Sequence, residues 1–174
     1  MDSFVIRRAT PADAATLSEL AWRTFNDTFA GANTPADMAQ HNQRTYSEER
    51  QRAEIVSPSV VTLIGERNGQ AIAYAQLRSE SVPASVAMRP TIELWRFYID
   101  KPAIGHGMAQ QLMDRVLADA RASGAVSIWL GVWERNARAL AFYRKSGYVE
   151  VGCQVFRLGS DAQTDLIFER TLTI

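Results

Sequence analysis

Apolar positions along the chain follow two rhythms that meet at one short loop. From Ile92 to Ile99 they alternate and are rich in aromatic and β-branched residues, which predicts a strand. Beyond the loop they fall at 109, 112, 113, 116, 117 and 120, one face of an α-helix. The loop is Ile104-Gly105-His106-Gly107-Met108-Ala109. Elsewhere the pattern predicts strands over Ser3 to Arg8, Val60 to Gly65, Ala71 to Leu77, Val126 to Val132, Val149 to Leu158 and Thr164 to Leu172. Asn68-Gly69 marks a hairpin turn, and a second hairpin turns around Gly159-Ser160-Asp161. Thr10-Pro11 with Asp13, Thr34-Pro35 with Asp37, and Ser47 with Glu48 and Glu49 each combine a cap with an early acid, so three helices start there. The first carries a stripe through Leu17, Leu20, Ala21, Thr24, Phe25 and Thr28 to about Phe29, and the third stops before Pro58. A further helix runs from Ala137 to Lys145 and stops at Gly147. Ser79 to Pro90 is polar with two prolines and reads as a loop.

A strand, a glycine loop and a helix together make an anion site. Glycines admit a close backbone approach, and the first helical N–H groups lack internal partners. With the helix dipole they suit a phosphate, although a tight turn alone also uses glycines in this way.

Length and charge narrow the classes. A chain of 174 residues supports one core, and residues 1–174 are expected to form a single domain. Basic and acidic residues balance at 19 each, which gives no support to a nucleic-acid partner. No apolar run approaches the ~20 residues of a membrane span, and the first residues do not read as a signal peptide. The single cysteine, Cys153, cannot form an internal disulfide. A cytoplasmic protein is expected. The two histidines and the cysteine are too dispersed for a metal site. His41 and His106 are expected on the surface and Cys153 is expected buried on a strand.

The order of strand, glycine loop, helix, strand, Asn136 and a helix containing Phe142-Tyr143 resembles the GNAT superfamily of acetyl-CoA-dependent N-acetyltransferases. The family loop reads Gln or Arg, two residues, Gly, one residue, then Gly or Ala. Gly107 and Ala109 fill the last two places, and Ile104 stands where Gln or Arg is usual. That departure removes a charged side chain and leaves the backbone cradle.

The fragments 129–136 (WLGVWERN), 141–148 (AFYRKSGY), 155–159 (VFRLG) and 163–167 (QTDLI), with 25–29 and 33–38, are similar to the PaiA-type subgroup. That bacterial subgroup includes spermidine/spermine N-acetyltransferases. The resemblance spans nearly the whole chain. It implies an α/β GNAT fold: a mixed, mostly antiparallel, seven-stranded twisted sheet with helices on both faces. The strands at 92–99 and 126–132 should form a central parallel pair, because the helix between them crosses over.

The resemblance also implies roles. Ile104, Gly105, His106, Gly107, Met108 and Ala109 would cradle the pyrophosphate of acetyl-CoA. Backbone N–H groups of Phe97, Tyr98 and Ile99 would hold the acetyl carbonyl and the pantetheine arm where the sheet splays. Tyr143, beside Phe142, would be the general acid for the departing thiolate; spacing alone favours a core tyrosine, and the resemblance reverses that preference. Asn136 would bind the CoA arm, or cap its helix, or both.

Glu93 would be the base, directly or through water, although a strand glutamate is more often a solvated side chain. By alternation Trp95 and Phe97 share its face and could raise its pKa. Trp22, Phe25, Asp27, Phe29, Glu93 and Trp95 would line the acceptor site, with Asp27, Asp37 and Glu93 converging on a polycation.

The expected activity is direct transfer of acetyl to a primary amine of a small molecule, a polyamine first. Alternatives are an antibiotic, an amino acid, a protein amine, or a non-catalytic acyl-CoA-binding regulator. A Rossmann protein is disfavoured because no βαβ pattern precedes the loop. The C-terminal hairpin could pair across a homodimer.

Overall fold

The computed structural model describes residues 4–80 and 82–172. Seven strands form one sheet: β1 (Phe4–Arg8), β2 (Val60–Arg67), β3 (Gln70–Arg78), β4 (Thr91–Ile99), β5 (Ser127–Trp133), β6 (Val149–Leu158) and β7 (Asp161–Thr171). Their order is β1-β2-β3-β4-β5-β7-β6. All neighbours are antiparallel except β4 and β5, the parallel pair expected from the crossover helix. The helices are α1 (Ala14–Phe29), α2 (Pro35–Tyr46), α3 (Glu48–Val56), α4 (Met108–Ala122) and α5 (Ala137–Lys145). Ser3, assigned to the first strand by pattern, lies outside the described residues.

The start signals act as predicted. The Thr34 hydroxyl accepts from Asp37 N–H, and the Ser47 hydroxyl accepts from Arg50 N–H. Thr10 and Asp13 form a reciprocal capping box, but it opens a single 3₁₀ turn at Pro11–Asp13 that leads into α1. Asn68 and Gly69 both hold positive φ, as the tight β2–β3 turn requires.

Two cores separate the faces of the sheet. On one, α4 and α5 bury Met108, Leu112, Met113, Val116, Leu140 and Tyr143 against Ile92, Leu94, Ile128 and Leu130. On the other, α1 and α2 bury Leu17, Leu20, Phe25, Phe29, Met38 and Tyr46 against Ile64, Tyr74 and Leu158. The 79–90 segment is irregular where described, yet it seats Val86 on Trp129 and Ile167. Among the described residues no helix is long and apolar enough to cross a membrane.

Candidate active site

The central feature is a gap in the sheet. β4 and β5 pair only at Thr91↔Ser127, Ile92↔Ile128 and Glu93↔Trp129, then part. The edge of β4 beyond Glu93 therefore faces open space. Asp100 N–H donates to Ile72 C=O on β3. Backbone direction alternates along a strand, so Tyr98 N–H also turns to β3, while Phe97 and Ile99 N–H turn to the gap. Of the three donors expected to bind acetyl-CoA, Tyr98 is thus committed to the sheet.

The gap leads to the glycine loop. Gly105 and Gly107 hold φ of +88° and +85°, left-handed conformations that glycine adopts without steric cost. Gly107 is the N-cap of α4, with Gln111 N–H bonded to its carbonyl. Met108 is fully buried and packs against Gly65, where a Cβ would stand 3.1 Å from its Sδ. That plug fixes the helix start, while Gly105, His106 and Gly107 are exposed and Ile104 and Ala109 half-buried. A cradle of N–H groups with no side chain above Gly105 fits a pyrophosphate. His106 lies on the surface as expected.

Tyr143 faces the gap from α5. Its ring meets Phe97 edge-on at 6.3 Å, and Phe142 stacks on Phe97 at 5.6 Å. Among the described residues the Tyr143 hydroxyl has no hydrogen-bond partner, and burial raises its pKa above the usual phenol value. It is therefore a protonated donor at neutral pH. Asn136 caps α5, its Oδ1 accepting from Ala139 N–H at 3.2 Å. Its amide N–H₂ remains available.

Glu93 departs from expectation in its surroundings. A β-bulge between Gln76 and Leu77, with Trp95 as the extra residue of β4, breaks the alternation. Phe97 consequently joins the α4 core and does not share the face of Glu93. Trp95 instead lies beneath the guanidiniums of Arg96 (3.7 Å) and Arg78 (4.1 Å). Glu93 is buried and ion-paired to Arg78; burial raises its pKa and Arg78 opposes the rise. It stands four residues before Phe97, about 13 Å along the strand.

Opposite α5, an aromatic wall closes the other mouth. Phe25 stacks on His41 at 4.5 Å and tilts on Phe29 at 4.4 Å; Phe29 meets Trp133, and His41 meets Phe156. His41 was expected on a helix surface. It is half-buried, and burial, with Arg96 and Arg44, lowers its pKa to about 4, so it is neutral. Trp22 and Asp27 are exposed on α1, with Asp27 near enough to act on Arg23. Asp37 accepts from Thr34 Oγ1 and Ser160 N–H, tying α2 to the β6–β7 turn. Asp27, Asp37 and Glu93 thus each face a different partner: Arg23, the β6–β7 turn and Arg78. Cys153, expected buried, is exposed on edge strand β6.

Pattern reading passed over a buried polar cluster. Arg96 bonds Glu54 and Gln76 Oε1, each at 2.5 Å, beneath Tyr46. An arginine within an apolar strand was its only signal.

A sequence model of the Acetyltransferase (GNAT) family matches residues 15–148. The chain belongs to the GNAT family. It is an N-acetyltransferase that uses acetyl-CoA, whose bound thioester supplies the acetyl group. An uncharacterised N-acetyltransferase of Lactobacillus delbrueckii is 31% identical over 149 residues, 86% of each chain. One of Mycobacterium bovis is 32% identical over 161 residues, 92% of this chain and 98% of the relative. The crystal structure of a PaiA N-acetyltransferase from Thermoplasma acidophilum in complex with coenzyme A superposes with TM-score 0.79. It is 21% identical and covers 97% of this chain and 99% of that one.

One prediction separates the two roles of Asn136. Asn136→Asp keeps the cap oxygen and removes the amide donor; Asn136→Ala removes both. Thermal melting should show a loss of about 1 kcal/mol for Ala only. If the amide holds the CoA arm, calorimetry should show weaker acetyl-CoA binding for both.

Proposed function

We propose that this GNAT enzyme acetylates a primary amine of a small molecule by direct attack, with a polyamine as first candidate and the PaiA type as its nearest subgroup. The supporting observation is the parted β4 edge. Phe97 and Ile99 N–H turn to the gap, and the Tyr143 ring packs against Phe97. In this reading residues 105–109 hold the pyrophosphate, Phe97 N–H polarises the acetyl carbonyl, and Ile99 N–H aligns the pantetheine arm. Tyr143 donates to the departing sulfur. Its raised pKa makes it a hydrogen-bond donor more than a full proton source. Direct attack is favoured because Cys153 is exposed on the edge strand, away from the gap.

The acceptor enters from the aromatic wall. Phe25 and Phe29 supply the apolar floor for a methylene chain, and Trp133 closes it. Glu93 lends negative charge below, with one oxygen bonded to Arg78. The exposed, unpaired Cys153 is compatible with a reducing, cytoplasmic setting. CoA release measured against polyamines, amino acids, aminoglycosides and peptides tests the assignment. Polyamines should give the highest kcat/KM, and a preference for peptides would move the enzyme to protein amines.

Glu93→Gln removes the charge and keeps the shape. It should raise the KM for a polyamine several-fold and change kcat little, because Glu93 lies distant from the carbonyl site. A large kcat loss that shrinks as pH rises would instead make Glu93 the base.

A further inference from the structure

On the acceptor face, Trp129, Gly131 and Trp133 of β5 lie beside Glu169, Ile167 and Asp165 of β7. Glu93, Glu169 and Asp165 lie on this stretch of the face with different fates. Glu93 is ion-paired to Arg78, and Glu169 accepts from the backbone N–H groups of Ala87 and Met88. Asp165 has no hydrogen bond or ion pair among the described residues. Its carboxylate leans over Gly131: a Cβ there would stand 3.3 Å from Asp165 Oδ2 and 3.0 Å from Gln154 Nε2. Because residue 131 is glycine, no side chain at that β5 position covers the carboxylate, and Trp133, its cross-strand partner, flanks it.

The register sets its height. Glu93 pairs with Trp129, and the strands are parallel. Counting forward across the bulge, Phe97 stands level with Val132 and Trp133, and Trp133 pairs with Asp165. Asp165 is thus at the height where the acetyl carbonyl is placed, one strand beyond the gap. Glu93 lies well below it.

We propose that Asp165 is the group that takes the proton from the acceptor ammonium. The proposal rests on the reading of the enzyme as an amine acetyltransferase. An ammonium entering past Phe29 and Trp133 meets a carboxylate that no side chain or backbone N–H compensates among the described residues. Asp165 accepts one N–H proton and becomes the neutral acid. The freed nitrogen lone pair forms the N–C bond as the C–S bond breaks. The nitrogen then loses its second proton, which reaches the departing sulfur by way of the Tyr143 hydroxyl, so the products are amide and CoA thiol; the Asp165 proton returns to solvent.

The surroundings suit the task. From β5 the carboxylate meets Gly131 and Trp133, and from β6 Gln154; none is charged. Burial alone raises its pKa to about 6. A base with a pKa near working pH is both ionised and able to hold a proton. The same burial has a sign in stability. The folded state disfavours the ionised form, so the stabilisation is full below the ordinary carboxylate pKa of about 4 and is lost as pH rises through about 6.

The test compares wild type, Asp165→Asn and Glu93→Gln, with spermidine as probe. Wild-type kcat/KM should fall on the acid side of about pH 6. Asp165→Asn should lower kcat/KM at neutral pH by on the order of 10²-fold, with a defect that shrinks as pH rises. Its acetyl-CoA affinity by calorimetry should be unchanged. Independently of turnover, the melting temperature of Asp165→Asn should lack the wild-type decline between about pH 4 and 6. Wild-type kinetics in Asp165→Asn at every pH would overturn the proposal, as would an acid limb removed by Glu93→Gln alone. Spermidine inert with wild type calls for the same comparison on whichever panel amine turns over. If none does, the proposed acceptor class fails and the proposal with it, whatever the melting curves show.

Discussion

Gly107→Glu should reduce acetyl-CoA affinity by more than about 100-fold, the size of losing several charge-assisted hydrogen bonds. Two effects act together. The glutamate places a negative charge where the pyrophosphate is proposed to sit, at the positive end of α4. It also forces a side chain onto φ +85°, at a cost of about 1–2 kcal/mol. Gly107→Ala isolates the second effect. A Cβ there meets nothing closer than Gln111 Nε2 at 4.0 Å, so Ala should fold with a modest loss of stability and bind far better than Glu. Isothermal calorimetry on both variants, with circular dichroism to verify folding, measures the difference. Equal affinities for Glu and wild type would place the phosphate elsewhere.

Tyr143→Phe should lower kcat by on the order of 10²-fold with little change in acetyl-CoA affinity, as for loss of one donor to a developing charge. The ring packs against Phe97, Phe142 and Tyr148, and Phe preserves those contacts. The hydroxyl has no partner to orphan, so stability should hold or rise slightly. Pre-steady-state measurement of the chemical step is the informative readout, because slow product release would mask the effect in kcat. An unchanged chemical step would leave Tyr143 as packing alone.

The local half of this site was legible and the long-range half was not. Spacing sufficed for α4, for the glycine loop, and for the caps Thr34 and Ser47, because each depends on residues within one turn. The parallel pairing of β4 and β5 followed from the helix between them. Their parting did not, since it depends on how far two strands distant in sequence remain hydrogen-bonded. The Trp95 bulge was equally invisible, and it reversed the face assigned to Phe97. Asp165 stood only as part of the 163–167 fragment, in a strand of mixed residues with no signal of its own. Its place over Gly131 arises only when β7 inserts between β5 and β6. His41 read as surface because α2 is largely polar; Phe25, Tyr46 and Phe156, from three elements, bury it.

A crystal structure of the enzyme with coenzyme A and spermidine tests the account most directly. The pyrophosphate should lie on the N–H groups of residues 105–109. The pantetheine arm should lie along β4, accepting from Phe97 and Ile99 N–H, with the sulfur within hydrogen-bond reach of Tyr143 Oη. A spermidine nitrogen should lie between that sulfur and Asp165. Coenzyme A bound outside the β4–β5 gap, or a sulfur remote from Tyr143, would contradict it.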